Sequence, residues 1–143
     1  MPYITQPGSP EESILRMEHI VFDEISFVRK GFRNEASKRI SLNISSSIEP
    51  IEGNSSRVTV KLSADKENEY SANISISGFC SIEENSELGK ELIEKNAVAI
   101  LFPYLRSELS LLTAQPETDP IVLPAMNING MLDSAKEKAA AED

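Results

Sequence analysis

The chain has little of what catalysis or metal binding requires. Its single histidine, His19, and single cysteine, Cys80, exclude an internal disulfide and every metal constellation of ordinary spacing. No glycine-rich phosphate loop, GKS or GxSxG pattern occurs. No segment approaches about 18 uninterrupted apolar residues, and the opening MPYITQPGSPEES lacks the basic start and apolar run of a signal peptide. Basic residues are outnumbered 14 to 23, for a net charge of −9, which disfavours nucleic acid as a partner. The exception is the stretch Arg29, Lys30, Arg33, Lys38 and Arg39, read as solvated loop charge. These absences predict a cytoplasmic, non-enzymatic protein with no cofactor, no metal and no direct membrane insertion.

What is present is amphipathic structure. Residues 1–14 hold Pro2, Pro7, Gly8 and Pro10 with little periodicity and read as a flexible lead-in. Residues 15–138 read as one domain and 139–143 as a flexible tail. A long first strand is expected from Leu15 to Val28, with a bulge where its alternation shifts near Asp23. Three stricter strands come next. Ile40, Leu42 and Ile44 share one face, then Val58, Val60 and Leu62, then Tyr70, Ala72, Ile74 and Ile76. Serine, asparagine, threonine, lysine and arginine fill the alternate positions, so the sheet is apolar on one side. The turn-rich EGNSS and ADKEN connections predict an antiparallel meander. Gly78 is expected to mark a bend or bulge in the last strand.

From Asn85 the apolar period becomes helical, through Leu88, Leu92, Ile93, Leu101, Leu105, Leu109 and Leu112, with a break or kink expected between Asn96 and Pro103. The acidic residues Glu83, Glu84, Glu87, Glu91 and Glu94 read as a solvated helix start rather than a cation site. A loop studded with Pro116, Pro120 and Pro124 joins this helix to a last short one, which Asn127 caps ahead of Ile128. Strands followed by helices make an α+β domain: a four-stranded antiparallel sheet with helices packed on one face. Ile100, Phe102 and Leu111 widen the helix's apolar surface beyond one stripe, which predicts self-association through helices. Met126 and Met131, beside the proline loop, suit an adaptable apolar groove.

The stretch AILFPYLRSELSLL at 99–112, the proline loop, and LPAMNINGML at 123–132 resemble the SecB export chaperones. Weaker similarity runs through DEISF at 23–27, ISLNIS at 40–45 and SGFCSI at 77–82. The resemblance implies a homotetramer, a dimer of dimers with helices between the sheets. It also implies an ATP-independent holdase that takes unfolded or nascent polypeptides into apolar surface grooves for export by the SecA motor. By position it assigns the groove to Ile40, Leu42, Ile44, Tyr70, Leu123, Met126, Ile128, Met131 and Leu132, with Phe22 from the first strand. For SecA docking it assigns Glu24, whereas Val28 stands where a second carboxylate is expected. A SecB-like chaperone dedicated to an antitoxin of a toxin–antitoxin pair keeps the groove without that surface. A carrier of lipid or another small apolar ligand is the alternative from a different class.

Overall fold

The computed structural model describes the backbone of residues 3–4 and residues 15–35, 38–82, 89–124, 128–130 and 132. Its strands are β1 (Tyr3–Ile4), β2 (Leu15–Arg29), β3 (Ile40–Pro50), β4 (Ser55–Lys66) and β5 (Tyr70–Ile82), followed by helix α1 (Lys90–Thr113). They form an antiparallel sheet in the order β1-β2-β5-β4-β3. The four long strands and the covering helix are the α+β arrangement the sequence predicts, and the two-residue β1 is an addition to it.

β3, β4 and β5 form the expected meander, because their hairpins are short and their alternation keeps one register. Val58, Val60, Leu62 and Ala64 of β4 face Ile48, Ser46, Ile44 and Leu42 of β3 on one side and Gly78, Ile76, Ile74 and Ala72 of β5 on the other. Side chains directly opposite one another share a face of the sheet, so this row is the apolar face. Asn68, at φ 63°, turns the β4–β5 hairpin in a backbone region that asparagine tolerates well. β2 does not lie beside β3, its neighbour in sequence, but crosses to pair with β5.

The alternation shift near Asp23 is a real irregularity. The β2 register slips between Phe22 and Glu24, and again between Met17 and His19. Each slip inserts one residue and switches which alternate set lies on the apolar face, from odd to even positions after Met17 and back to odd after Phe22. Ile20, Phe22, Ile25 and Phe27 therefore all oppose apolar-face residues of β5: Gly78, Ile76, Ile74 and Ala72.

Two expectations are corrected. Gly78 makes no bulge, since β5 keeps its register there with both neighbours. Its missing side chain gives room instead: a Cβ at this position would lie 2.8 Å from Met17 Sδ, 2.9 Å from Met17 Cε and 3.2 Å from Leu101 Cδ2. The bulges sit on the partner strand. Of the break or kink expected between Asn96 and Pro103, the break does not occur, for α1 runs 24 residues with Pro103 inside it. Ala97, Val98, Leu101, Phe102 and Leu105 are all buried around the proline, which is itself exposed. Each fully buried large side chain stabilises by about 2 kcal/mol, enough to hold the helix across one lost backbone hydrogen bond on its wet side.

The chain then doubles back along α1. Ser110 Oγ donates to the Ile121 carbonyl at 2.8 Å, and the Ile121 N–H donates to Thr113 Oγ1 at 2.8 Å. Farther on, Asn129 Nδ2 donates to the Lys95 carbonyl at 3.0 Å. Residues 128–130 are helical, and the proposed cap Asn127 lies outside the described residues. Leu123, Ile128 and Leu132 join the buried core that α1, β2, β4 and β5 build.

Candidate functional site

Accessible apolar surface lies along both edges of the sheet, on α1 at Leu92, Tyr104 and Leu111, and in loops at Phe32 and Val122. On β3, Ile40, Leu42 and Ile44 oppose Lys66, Ala64 and Leu62 and so point to the helical side. Leu42 is 40% exposed, while Ile40 and Ile44 are half-buried against the core. No described strand pairs with the outer side of β3, so alternate backbone N–H and C=O groups there face outward. At the opposite edge, β1 pairs only with Leu15 and Arg16, and no described strand pairs with the outer side of the rest of β2. Val21, Phe22, Ile25 and Val28 are all exposed along it.

The residues assigned to a groove are thus divided. Ile40, Leu42 and Ile44 stay together. Leu123, Ile128 and Leu132 are buried in this conformation, as is Tyr70, whose ring stacks on Phe27 with centroids 4.9 Å apart. Phe22 lies on the other edge, three strand spacings or about 14 Å from β3. Met126 and Met131 lie outside the described residues. The sequence reading missed Ile25, Val21 and Val28 of β2, although apolar residues on both faces of one strand were the available signal. It also missed the open positions Leu92 and Tyr104 of α1.

The far ends of the β strands carry a polar cluster. Lys66 and Glu69 pair at 3.1 Å with side chains only 4% and 2% exposed. Glu69 also accepts the Glu35 N–H at 3.3 Å, and its carbonyl accepts the Lys30 N–H at 2.8 Å. Lys66 Nζ donates to Asn34 Oδ1 at 3.1 Å, and Asn34 Nδ2 donates to Asp119 Oδ1 at 3.2 Å. Arg29 Nη2 donates to Thr118 Oγ1. Gly31 packs so closely on the hairpin that a Cβ there would sit 2.5 Å from the Asn68 carbonyl oxygen. The Tyr70 hydroxyl is buried among these groups without a hydrogen-bond partner among the described residues. Burial, and next the Glu69 carboxylate, push its pKa up.

Burial raises the Glu69 carboxyl, but the hydrogen bonds from Lys66 and the Glu35 N–H, with the charges of Lys66 and Lys38, leave it below its ordinary value. Asp65 is lowered first by its hydrogen bond from Lys30, 2.7 Å away, and then by Ser71. Both carboxyls bind a proton more tightly in the unfolded chain, so unfolding takes up protons. Their contribution is complete above the ordinary carboxylate range and lost as pH falls through the lowered values. The melting temperature is therefore expected to stay level from pH 7 to about 5 and to fall below about pH 4.5. Glu69→Gln is expected to flatten that fall; a melting temperature indifferent to acid would contradict the assignment.

The outer face of the sheet is polar. Asp23 pairs with Arg57 at 2.7 Å, and Ser77 takes a hydrogen bond from Arg57 Nε at 3.1 Å while donating to Asp23. A furrow of about 790 Å³ crosses this face beside Arg57, Lys61 and Glu24. Glu24 is exposed and accepts a hydrogen bond from Ser26 at 2.8 Å. Cys80 is buried, and burial pushes its thiol up to about 11, so the thiolate is suppressed at neutral pH. Among the described residues no group of three His, Cys, Asp or Glu could hold a metal ion, and no helix is long and apolar enough to cross a membrane.

No protein-family model matches the chain. The uncharacterized protein MJ0357 of Methanocaldococcus jannaschii is 28% identical over 138 residues, covering 90% of this chain and 89% of that protein. Among solved structures, the SecB-like chaperone Rv1957 of Mycobacterium tuberculosis, in complex with a ChAD peptide from the Rv1956 HigA1 antitoxin, matches with a TM-score of 0.64. That match is 10% identical in sequence and covers 78% of this chain and 87% of that one. The fold is SecB-like. A protein of unknown function from Streptococcus agalactiae matches with a TM-score of 0.49 at 12% identity, over 80% of this chain and 99% of that one. Of the sequence-assigned groove, the described residues include the half-open β3 strip, Leu123, Ile128 and Leu132 of the returning segment, Tyr70 and Phe22, but not Met126 or Met131.

Proposed function

We propose that this protein is an ATP-independent holdase that shields apolar stretches of non-native polypeptide, with an antitoxin of a toxin–antitoxin pair as its dedicated client. The observation that carries the reading is Leu42, open between half-buried Ile40 and Ile44, on an unpaired strand edge of a SecB-like fold. Such an edge offers an extended segment both apolar contact and backbone hydrogen bonds. Burial there gains about 25 cal/mol per Å², modest for one segment. Several such strips on one oligomer bind a long client jointly while each segment still releases, which needs no nucleotide. The net charge of −9 favours clients with basic residues beside their apolar stretches.

The assembly that fits this role is a homotetramer, a dimer of dimers. The open edge of β2 and the exposed α1 residues Tyr104 and Leu111, with half-buried Ile100 between turns, supply two separate apolar surfaces for it. Light scattering is expected to give about four times the 15.8 kDa chain mass. A monomer at micromolar concentration would remove this assembly.

Export to SecA is the second reading, and exposed Glu24 is what favours it. Asp23, Arg57 and Lys61 share that furrow with Glu24, and the Asp23–Arg57 ion pair leaves the face of mixed charge rather than acidic. The test is an aggregation assay without ATP, using an aggregation-prone antitoxin and a denatured unrelated protein, paired with capture of purified SecA. Suppressed aggregation without SecA capture supports the antitoxin reading, SecA capture transfers it to export, and precipitation of both test proteins removes the holdase.

A further inference from the structure

Leu123, Ile128 and Leu132 are assigned to a client groove by resemblance yet are buried in the core here, which raises the question of what keeps them covered. The segment between α1 and Leu123 makes two kinds of attachment. At one place Ile121 is hydrogen-bonded through both its N–H and its carbonyl to Thr113 and Ser110 of α1. At the other, Thr118 and Asp119 are held by Arg29 at the end of β2 and Asn34 of the β2–β3 connection. Asn34 is itself set by Lys66, which the buried Glu69 anchors. Pro116, Pro120 and Pro124 stiffen the segment between, so it moves more readily as a unit than by local bending.

We propose that residues 114–124 are a strap held shut by the polar latch Arg29–Thr118 and Asn34–Asp119, and that lifting it uncovers Leu123 and the apolar residues behind it for a client. The proposal rests on the holdase reading above. The latch sits over a buried polar group: the Tyr70 hydroxyl, beside Arg29, Glu69 and Asp119, has no hydrogen-bond partner among the described residues. The closed state therefore carries the desolvation penalty of one polar group, which lifting the strap relieves by admitting water or a client's backbone. The latch is only two side-chain hydrogen bonds, one part-buried from the Arg29 guanidinium and one exposed to the Asp119 carboxylate, few enough to open locally without unfolding the sheet. A client that binds only the open state shifts the balance by its own affinity for it. Client residues take the place that Leu123 and its neighbours fill when the strap is shut, so the chain covers its own binding surface when empty.

Two measurements on the full chain test this. Hydrogen exchange at the Ile121 amide is expected to quicken at least tenfold in the double variant Asn34→Ala with Thr118→Val, with the amides of β4 and β5 unchanged; unaltered exchange would overturn the latch. Separately, Asn34→Cys with Asp119→Cys is joined by a short reducible bis-thiosulfonate cross-linker, the native Cys80 being buried and unreactive. Affinity for a denatured test protein is expected to fall at least tenfold in the joined form and to return on reduction. Equal binding before and after reduction would overturn the strap. A wild-type protein that binds no client at all would remove the holdase reading instead, leaving the exchange measurement to decide the latch.

Discussion

Leu101→Ala is expected to destabilise the protein by about 3–5 kcal/mol, the range seen when a fully buried leucine is truncated and the surroundings relax only in part. Leu101 is completely buried, and its Cδ2 lies against the space left by Gly78, 3.2 Å from where a Cβ would stand. The glycine cannot refill the cavity and Met17 already occupies its other side. The loss should appear in urea titration as a lower midpoint with an unchanged slope, and as a melting temperature roughly 10 °C lower for a chain of this size. Leu111, exposed ten residues farther along the same helix, serves as the contrast: Leu111→Ala should leave the stability of an isolated protomer within about 0.5 kcal/mol. A Leu101→Ala loss below about 1 kcal/mol would mean that α1 does not pack on β5 as described.

The second large effect concerns binding. Leu42→Asp is expected to weaken affinity for a denatured client at least tenfold, because a carboxylate on the open β3 strip must be desolvated whenever an apolar segment covers it. The fold should tolerate the change, since Leu42 is already 40% exposed and its cross-strand neighbour Ala64 is small. Titration of a labelled, unfolded client alongside thermal melting separates the two quantities. Unaltered affinity with an intact fold would take the client away from the β3 edge, and Phe22→Asp on the β2 edge would be the next variant to make.

Much of the fold was legible because its signals are local. The alternation of Val58, Val60 and Leu62 against Arg57, Thr59 and Lys61 fixes a one-sided strand wherever it pairs. The shift at Asp23 announced a bulge for the same reason: an extra residue leaves its mark in the strand that contains it. Pro103 misled, since its local preference is to interrupt a helix, while the burial of Leu101, Phe102 and Leu105 is a tertiary gain that overrides it. Gly78 misled in the opposite sense, because a missing side chain looks the same in a sequence whether it relieves a bulge or admits Met17 and Leu101.

The site was less legible, and for a physical reason. An apolar side chain gains the same free energy whether its own chain or a foreign one covers it. Leucine at 42 and leucine at 123 therefore look alike on paper, although one is open and the other buried. The polar cluster was hidden differently. ADKEN reads as an ordinary turn, yet its Lys66 is buried against Glu69 and reaches Asn34 from a loop far away in sequence. Hydrogen bonds between distant segments have no periodicity to betray them.

The placement of β2 has a consequence for how the molecule comes into being. Leu15 pairs with Ile82, so the earliest long strand to leave the ribosome must wait for the latest before it is covered. The β3–β4–β5 hairpins close over short loops and form early, whereas the β2 ladder bears the entropy of a long closure and forms late. During that interval Phe22, Ile25 and Phe27 stand uncovered in the nascent chain. The newborn protein thus passes through the same vulnerable condition from which, once mature, it would rescue others.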